Sequence, residues 1–241
     1  MVVKLATIAT NPADRLAVYL GNIEDTPNGY EFHPGMVSFS TFKGLSTSQY
    51  VPYSVSLDRL GRVRRIYAMP ESVASRALLE FGTGVDGDGS AWILKRLGAG
   101  VRIAAIVEYK KPVSEEGFRP RFMYDNSARI LLSRARRDGY PIYWDGGQGC
   151  QGSTTPAICS GSPVTQFRDW VSKLGPQDDG TLRGFGLSVG ELRKAASDGL
   201  IHGIIADGGS AQVMRALQRD SNVSGIWIID IRPCLPTDDC P

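Results

Sequence analysis

At 241 residues the chain is long enough to bury a substantial core, and it lies at the upper end of single-domain size. Its 42% apolar and 22% charged residues are ordinary globular usage, which excludes an intrinsically disordered chain. The net charge of +2 gives no strong field to attract nucleic acid, and no apolar run approaches the roughly 20 residues that span a bilayer. We therefore predict one globular domain over residues 1–241, without a nucleic-acid partner and without membrane insertion.

The first 67 residues show mainly the alternation that is typical of β-strands. Strands are predicted at Val2–Ile8, Met36–Phe42, Ser54–Asp58 and Val63–Met69. The last two flank Arg59-Leu60-Gly61-Arg62, which predicts a hairpin turn because glycine tolerates the backbone angles that such turns need.

From Pro70 onward the apolar pattern changes to the helical period. Helices are predicted at Glu71–Phe81, Ala91–Leu97, Asn126–Arg137, Thr165–Leu174 and Ser188–Ser197. Between them, Val101–Tyr109 and Tyr140–Asp145 are predicted strands. The nearly continuous apolar centre of Val101–Tyr109 is typical of a strand inside a sheet.

The C-terminal part alternates strand, helix and strand. Strand Leu200–Ala206, loop Asp207–Gly209, helix Ser210–Arg219 and strand Gly225–Ile231 predict a βαβ unit. The whole pattern indicates the α+β class. We expect a mixed β-sheet with flanking helices, a β-rich N-terminal third and this C-terminal βαβ unit.

Four cysteines bear on the compartment. Cys150 and Cys159 lie in one loop-like segment, and Cys234 and Cys240 lie in another. Of the three pairings that four cysteines allow, the local one is simplest, and it predicts two short-range disulfides. Disulfides form in oxidising compartments, so a secreted or periplasmic location is expected. The spacings are not CxxC and the chain has two histidines, so no metal site is predicted.

One set of residues suggests chemistry on NAD. Arg15, the triplet Ser46-Thr47-Ser48 and Glu108 occur in the order that is found in toxin-type mono-ADP-ribosyltransferases, and the arrangement resembles theirs. The resemblance implies that Arg15 and Thr47 bind NAD and that Glu108, with Ser46 and Ser48, forms the catalytic site. Glu108 would hold the ribose as an oxocarbenium ion develops. This chain has Ile106 where those enzymes carry Glu or Gln two residues before the catalytic Glu.

A thiol hydrolase is an alternative. A cysteine nucleophile needs an imidazole to activate it and a carboxylate to orient that imidazole. Cys150, His202 and Asp207 supply these groups, and Gln148 stands where it could help to hold an oxyanion. The same Cys150 is one of the residues predicted to form a disulfide.

A weaker candidate is an anion site at Gly208-Gly209-Ser210. Glycines between a strand and a helix expose backbone N–H groups at the positive end of the helix. Arg183 or Arg215 would be its partners, whereas the simpler interpretation is a tight turn with Ser210 as the helix N-cap.

The sequence therefore suggests an exported, effector- or toxin-like enzyme that uses NAD to modify a target protein. The competing interpretation is a secreted, non-enzymatic binding protein that presents a disulfide-closed loop at 146–163 to its partner. Loops of this length are often functional.

Overall fold

A computed structural model describes residues 6, 14–16, 22–33, 36–38, 54–60, 62–66, 73–83, 90–118, 129–135, 140–145 and 161–234. Its strands are β1 Asp14–Leu16, β2 Asn22–Thr26, β3 Gly29–His33, β4 Met36–Ser38, β5 Val55–Asp58, β6 Val63–Ile66, β7 Val101–Ser114, β8 Arg129–Leu131, β9 Tyr143–Asp145, β10 Leu200–Ser210 and β11 Val223–Pro233. Its helices are α1 Val73–Glu80, α2 Ser90–Arg96, α3 Pro163–Ser172, α4 Asp179–Gly184, α5 Val189–Asp198 and α6 Ala211–Gln218, with a 3₁₀ turn at Pro176–Asp178.

The central feature is a five-stranded sheet in the order β11-β7-β10-β8-β9. Residues 103–108 of β7 are buried, as the apolar run in the sequence predicts, because β10 and β11 pair with the two edges of this strand. The α+β class is confirmed, with helices beside antiparallel sheets.

The C-terminal βαβ order is also present, but its strands are not neighbours. β10 and β11 are each antiparallel to β7, which lies between them, so they run parallel to each other without pairing. Every strand pair within the described residues is antiparallel, so the parallel pairing that a mixed sheet requires is not found there. The long apolar β7, which competes for the centre of the sheet, explains the difference.

The N-terminal third is β-rich, as predicted. It contains a four-stranded sheet in the order β2-β3-β5-β6 and a separate pair of β1 with β4. The predicted β5–β6 hairpin is confirmed, and the Asp58 carboxylate fixes its turn by accepting bonds from the Leu60 and Arg62 N–H groups at 2.8 and 2.9 Å. Of the predicted strand Val2–Ile8 only Ala6 is described, and it is helical and buried.

The predicted helix Asn126–Arg137 is wrong over its described part. Arg129–Leu131 forms β8, which pairs with both β9 and β10. The chain then stays extended, because Leu132 N–H donates to the Ile142 carbonyl at 2.8 Å and Ile142 N–H donates to Ser133 Oγ at 2.8 Å. Cross-strand bonds and three consecutive buried apolar side chains, from Ile130 to Leu132, outweigh the helical spacing of the segment.

Serine side chains cap the starts of two later helices. Ser188 accepts a hydrogen bond from Glu191 N–H and donates one to the Glu191 carboxylate, which forms a capping box where the predicted helix at Ser188–Ser197 begins. Ser162 caps α3, and its hydroxyl also bonds to the Glu115 carboxylate at the end of β7. Arg168 of α3 pairs with the same carboxylate at 2.7 Å, which ties the helix to the central sheet.

Helix α3 covers one face of the central sheet with aromatic side chains. Trp170 stacks on Trp144 of β9 with ring centroids 5.2 Å apart, and Phe167 lies edge-on to both rings. All three side chains are fully buried. Within the described residues, none of the helices is long and apolar enough to cross a membrane.

Candidate active site

Glu108 is a buried acid in the middle of the central sheet. It follows the apolar run of β7, and only 6% of its surface is exposed. Its partner in β10 is Gly203 and its partner in β11 is Gly225, so both flanking positions on its face of the sheet lack a side chain. The acid therefore lies in a groove between two glycines.

Aromatic rings fill the space above those glycines. A methyl group at Gly203 would lie 2.8 Å from the Phe81 ring, and one at Gly225 would lie 2.9 Å from the Trp227 ring. The two rings are neighbours, with centroids 6.2 Å apart. Phe81 and Trp227 therefore cover the two glycines that flank Glu108, and burial of its carboxyl disfavours the charged form.

Burial raises the pKa of the Glu108 carboxyl above its ordinary value. Three weaker influences act in the opposite direction: a hydrogen bond from the Gly82 N–H, the nearby charge of Arg134, and a hydrogen bond with Ser224. The Ser224 Oγ also lies 3.3 Å from the Glu108 carbonyl oxygen. Glu108 is thus an acid that holds its proton to a higher pH than an exposed glutamate does.

Arg134 is held beside Glu108 by the end of α1. Gly82 has a φ of +84°, which favours glycine, and a methyl group there would lie 3.1 Å from the Arg134 Cβ. The next residue, Ala135, donates its N–H to the Phe81 carbonyl at 3.4 Å. The same glycine therefore bonds to Glu108 and packs against the stem of Arg134.

His202, like Glu108, is influenced by the charge of Arg134. It lies on β10 beside Gly203, at a register shift between Ile201 and Gly203, and it is half-buried. Burial lowers the pKa of its imidazole, the charge of Arg134 lowers it further, and the charge of Asp198 acts in the opposite direction. His202 is therefore neutral near pH 7 and able to accept a proton.

We define the Glu108 cluster as Glu108, Gly82, Arg134, His202 and Ser224. It combines a carboxyl whose pKa is raised, an imidazole whose pKa is lowered and an exposed guanidinium. Perturbed acids and bases of this kind are what acid–base catalysis at neutral pH requires. In the part of the chain that the structure describes, no three His, Cys, Asp or Glu side chains are grouped to hold a metal ion.

The structure brings together some of the predicted residues and leaves others apart. Arg15 lies on β1, which pairs with β4 in a sheet separate from that of Glu108. Ser46, Thr47 and Ser48 lie outside the described residues, so their role with Glu108 stays a prediction.

The thiol-hydrolase prediction is likewise untested. Gln148 and Cys150 lie outside the described residues, and Asp207 belongs to β10. Cys234 follows β11, and its N–H donates to the Gly100 carbonyl at 2.8 Å. Cys159 and Cys240 are outside the described residues, so both disulfide pairings remain predictions.

The predicted loop of the anion site is part of a strand. Gly208, Gly209 and Ser210 belong to β10, and the last two pair with Ile103 and Arg102 of β7. The Ser210 hydroxyl accepts a bond from Val213 N–H, as expected of an N-cap. Of the suggested partners, Arg215 donates to the Leu94 and Leu97 carbonyls and Arg183 pairs with Asp179.

The sequence interpretation singled out Glu108 and His202 but placed them in different sites, and it missed Gly82, Ser224 and the role of Arg134. Arg134 lies in the last turn of the predicted helix Asn126–Arg137. A cation at that position is already explained by its favourable interaction with the helix dipole. Only the strand register brings these residues together. The chain matches no protein-family model, no curated protein and no solved structure.

Proposed function

We propose that the protein is an enzyme that breaks the glycosidic bond between nicotinamide and ribose in NAD, with Glu108 at the reaction centre. The observation that carries this proposal is the buried Glu108 carboxyl, whose flanking glycines are covered by Phe81 and Trp227 and whose pKa, like that of His202, is influenced by the charge of Arg134. The order of Arg15, Ser46–Ser48 and Glu108 in the sequence supports NAD as the substrate.

The reaction assigns each group a part. Nicotinamide leaves with the electrons of the bond to the ribose, and positive charge develops on the sugar. The positively charged nicotinamide ring favours the ionised form of Glu108, and a carboxylate among apolar atoms attracts the developing charge more strongly than one in water. The neutral His202 accepts the proton of the attacking hydroxyl, which belongs to water or to a target protein.

Nicotinamide release tests the proposal. Purified wild-type protein is incubated with NAD, and free nicotinamide is measured over time beside a heat-denatured sample. We expect release by the native protein and its loss in the Glu108→Gln variant. Absence of release by the native protein, or unchanged release by the variant, contradicts the proposal.

We further propose that the protein is exported and acts on a target protein, because its four cysteines are placed for local bridges. Alkylation of the denatured protein, followed by mass measurement with and without reductant, tests the bridges. We expect no thiol to be labelled until reductant is added. Labelling of all four thiols at once contradicts this expectation and makes Cys150 with His202 the competing site.

A further inference from the structure

We infer that Arg134 binds a phosphate group of the ligand that occupies the Glu108 cluster. The inference rests on the proposed active site, but its test needs no turnover. It adds Arg134 to Arg15 as a residue through which the site recognises a nucleotide.

Within the described residues, Arg134 differs from Arg129 and Arg232 in having no acidic partner. On the same sheet Arg129 pairs with Asp145 at 3.0 Å, and Arg232 pairs with Asp230 at 2.7 Å. Among the described residues none forms an ion pair with Arg134, although Arg134 is close enough to influence Glu108 and His202 electrostatically. In the part of the chain that the structure describes, its charge is therefore not compensated by a direct ion pair.

The main chain of Arg134 is fixed although its side chain is exposed. Ser133 Oγ donates to the Arg134 carbonyl at 2.9 Å and accepts from Ile142 N–H at 2.8 Å. The stem of Arg134 packs against Gly82, which has no room for a larger residue. A guanidinium on a fixed main chain loses less freedom when it binds a ligand than one on a mobile loop does.

A phosphate suits this position because a guanidinium offers two parallel N–H groups to its oxygens. The negative charge of a bound phosphate would also offset the effect of the Arg134 charge on Glu108 and His202. Arg134 lowers the pKa of His202, so an anion bound to Arg134 raises it, while burial and Asp198 continue to act on the imidazole. The charge of Arg134 reaches Glu108 too, so the pKa of Glu108 moves in the same direction, whereas the positive nicotinamide ring acts on that pKa in the opposite direction. His202 then becomes a stronger base when the phosphate-bearing ligand is present.

The chain offers a simple readout because it has two histidines, His33 and His202. Their imidazole signals are followed by nuclear magnetic resonance across a pH titration, with and without inorganic pyrophosphate as the probe. In wild-type protein we expect pyrophosphate to move the His202 midpoint to higher pH and to leave His33 unchanged. Acetate, a singly charged carboxylate, serves as the second anion. It is expected to move the His202 titration midpoint less than pyrophosphate does.

Two variants complete the test. In Arg134→Gln the His202 midpoint is expected to lie higher than in wild type without any anion, and pyrophosphate is expected to bind about tenfold more weakly, as loss of one charge-assisted contact implies. Arg62→Gln removes an exposed charge at the β5–β6 turn and is expected to respond like wild type.

An unmoved His202 in wild type at millimolar pyrophosphate contradicts the inference, and so does an equal response in Arg134→Gln. An acetate response as large as that of pyrophosphate overturns the assignment to phosphate. If NAD is not cleaved but pyrophosphate moves His202, the proposed reaction fails while the phosphate contact stands. If NAD is cleaved but the His202 midpoint does not move with pyrophosphate, the proposed reaction stands while the phosphate contact fails.

Discussion

Glutamine in place of Glu108 is expected to lower the rate of nicotinamide release by about 10²–10⁴-fold, the range over which a positioned acid or base contributes. Glutamine has nearly the same shape as glutamate, and its side-chain oxygen can still accept the Gly82 N–H. It cannot carry the negative charge that stabilises the developing positive charge on the ribose. The loss should therefore appear in kcat for NAD more than in binding.

Glu80→Gln is the matched control for this prediction. Glu80 is the last residue of α1, and its carbonyl accepts bonds from the main-chain N–H and the hydroxyl of Thr83. The substitution removes the same charge two residues before Gly82 but outside the Glu108 cluster. We expect near wild-type release, and an equal loss in both variants contradicts a specific role for Glu108.

Alanine in place of Trp170 is expected to lower the free energy of unfolding by about 3–5 kcal/mol, measured by urea denaturation. Trp170 is fully buried, stacks on Trp144 and meets the edge of Phe167, so its removal leaves a large cavity in the core. Its indole Nε1 has no hydrogen-bond partner among the described residues, so the expected loss comes from packing and not from a broken polar contact.

Trp92→Ala provides the control for Trp170→Ala. Trp92 lies on α2 with 59% of its surface exposed, and the Arg96 guanidinium lies 3.9 Å from its ring centre. Loss of one exposed cation–π contact is expected to cost about 0.5–1 kcal/mol. A cost for Trp170→Ala as small as that for Trp92→Ala would show that the aromatic cluster is not the main core of this face.

The local parts of the fold could be predicted from the sequence, and the pairing of its strands could not. Ser188 and Glu191 mark the start of α5 because a cap depends on residues three positions apart. The apolar spacing around residues 129–132 predicts a helix, but pairing with β9 and β10 makes this segment extended. The insertion of β7 between β10 and β11 likewise depends on contacts across about 100 residues, which no local pattern encodes.

The same limit applies to the site. Glu108 stands out in the sequence because it ends an apolar run, and His202 stands out because histidines are few. Their relation depends on the register that places Gly203 and Gly225 beside Glu108 and brings Arg134 across the end of α1. The glycines at positions 203 and 225 do not indicate a site by themselves. Their role becomes clear only when the rings of Phe81 and Trp227 are seen to pack against them.

The central claim is that Glu108 is a buried acid with a raised pKa, and its effect on stability across pH tests that claim most directly. The folded protein holds the Glu108 proton above the ordinary pKa of 4.5, whereas the unfolded chain releases it near that value. The contribution of Glu108 to stability is thus present at low pH and is lost as the pH rises through the folded-state pKa.

Glutamine at position 108 has no proton to lose. The free energy of unfolding of Glu108→Gln, measured by urea denaturation from about pH 4 to about pH 8, is therefore expected to rise relative to that of wild type as the pH increases. A difference that stays constant, or one that moves in favour of the wild type with rising pH, would show that the carboxyl is not held in its neutral form and would contradict this account of the site.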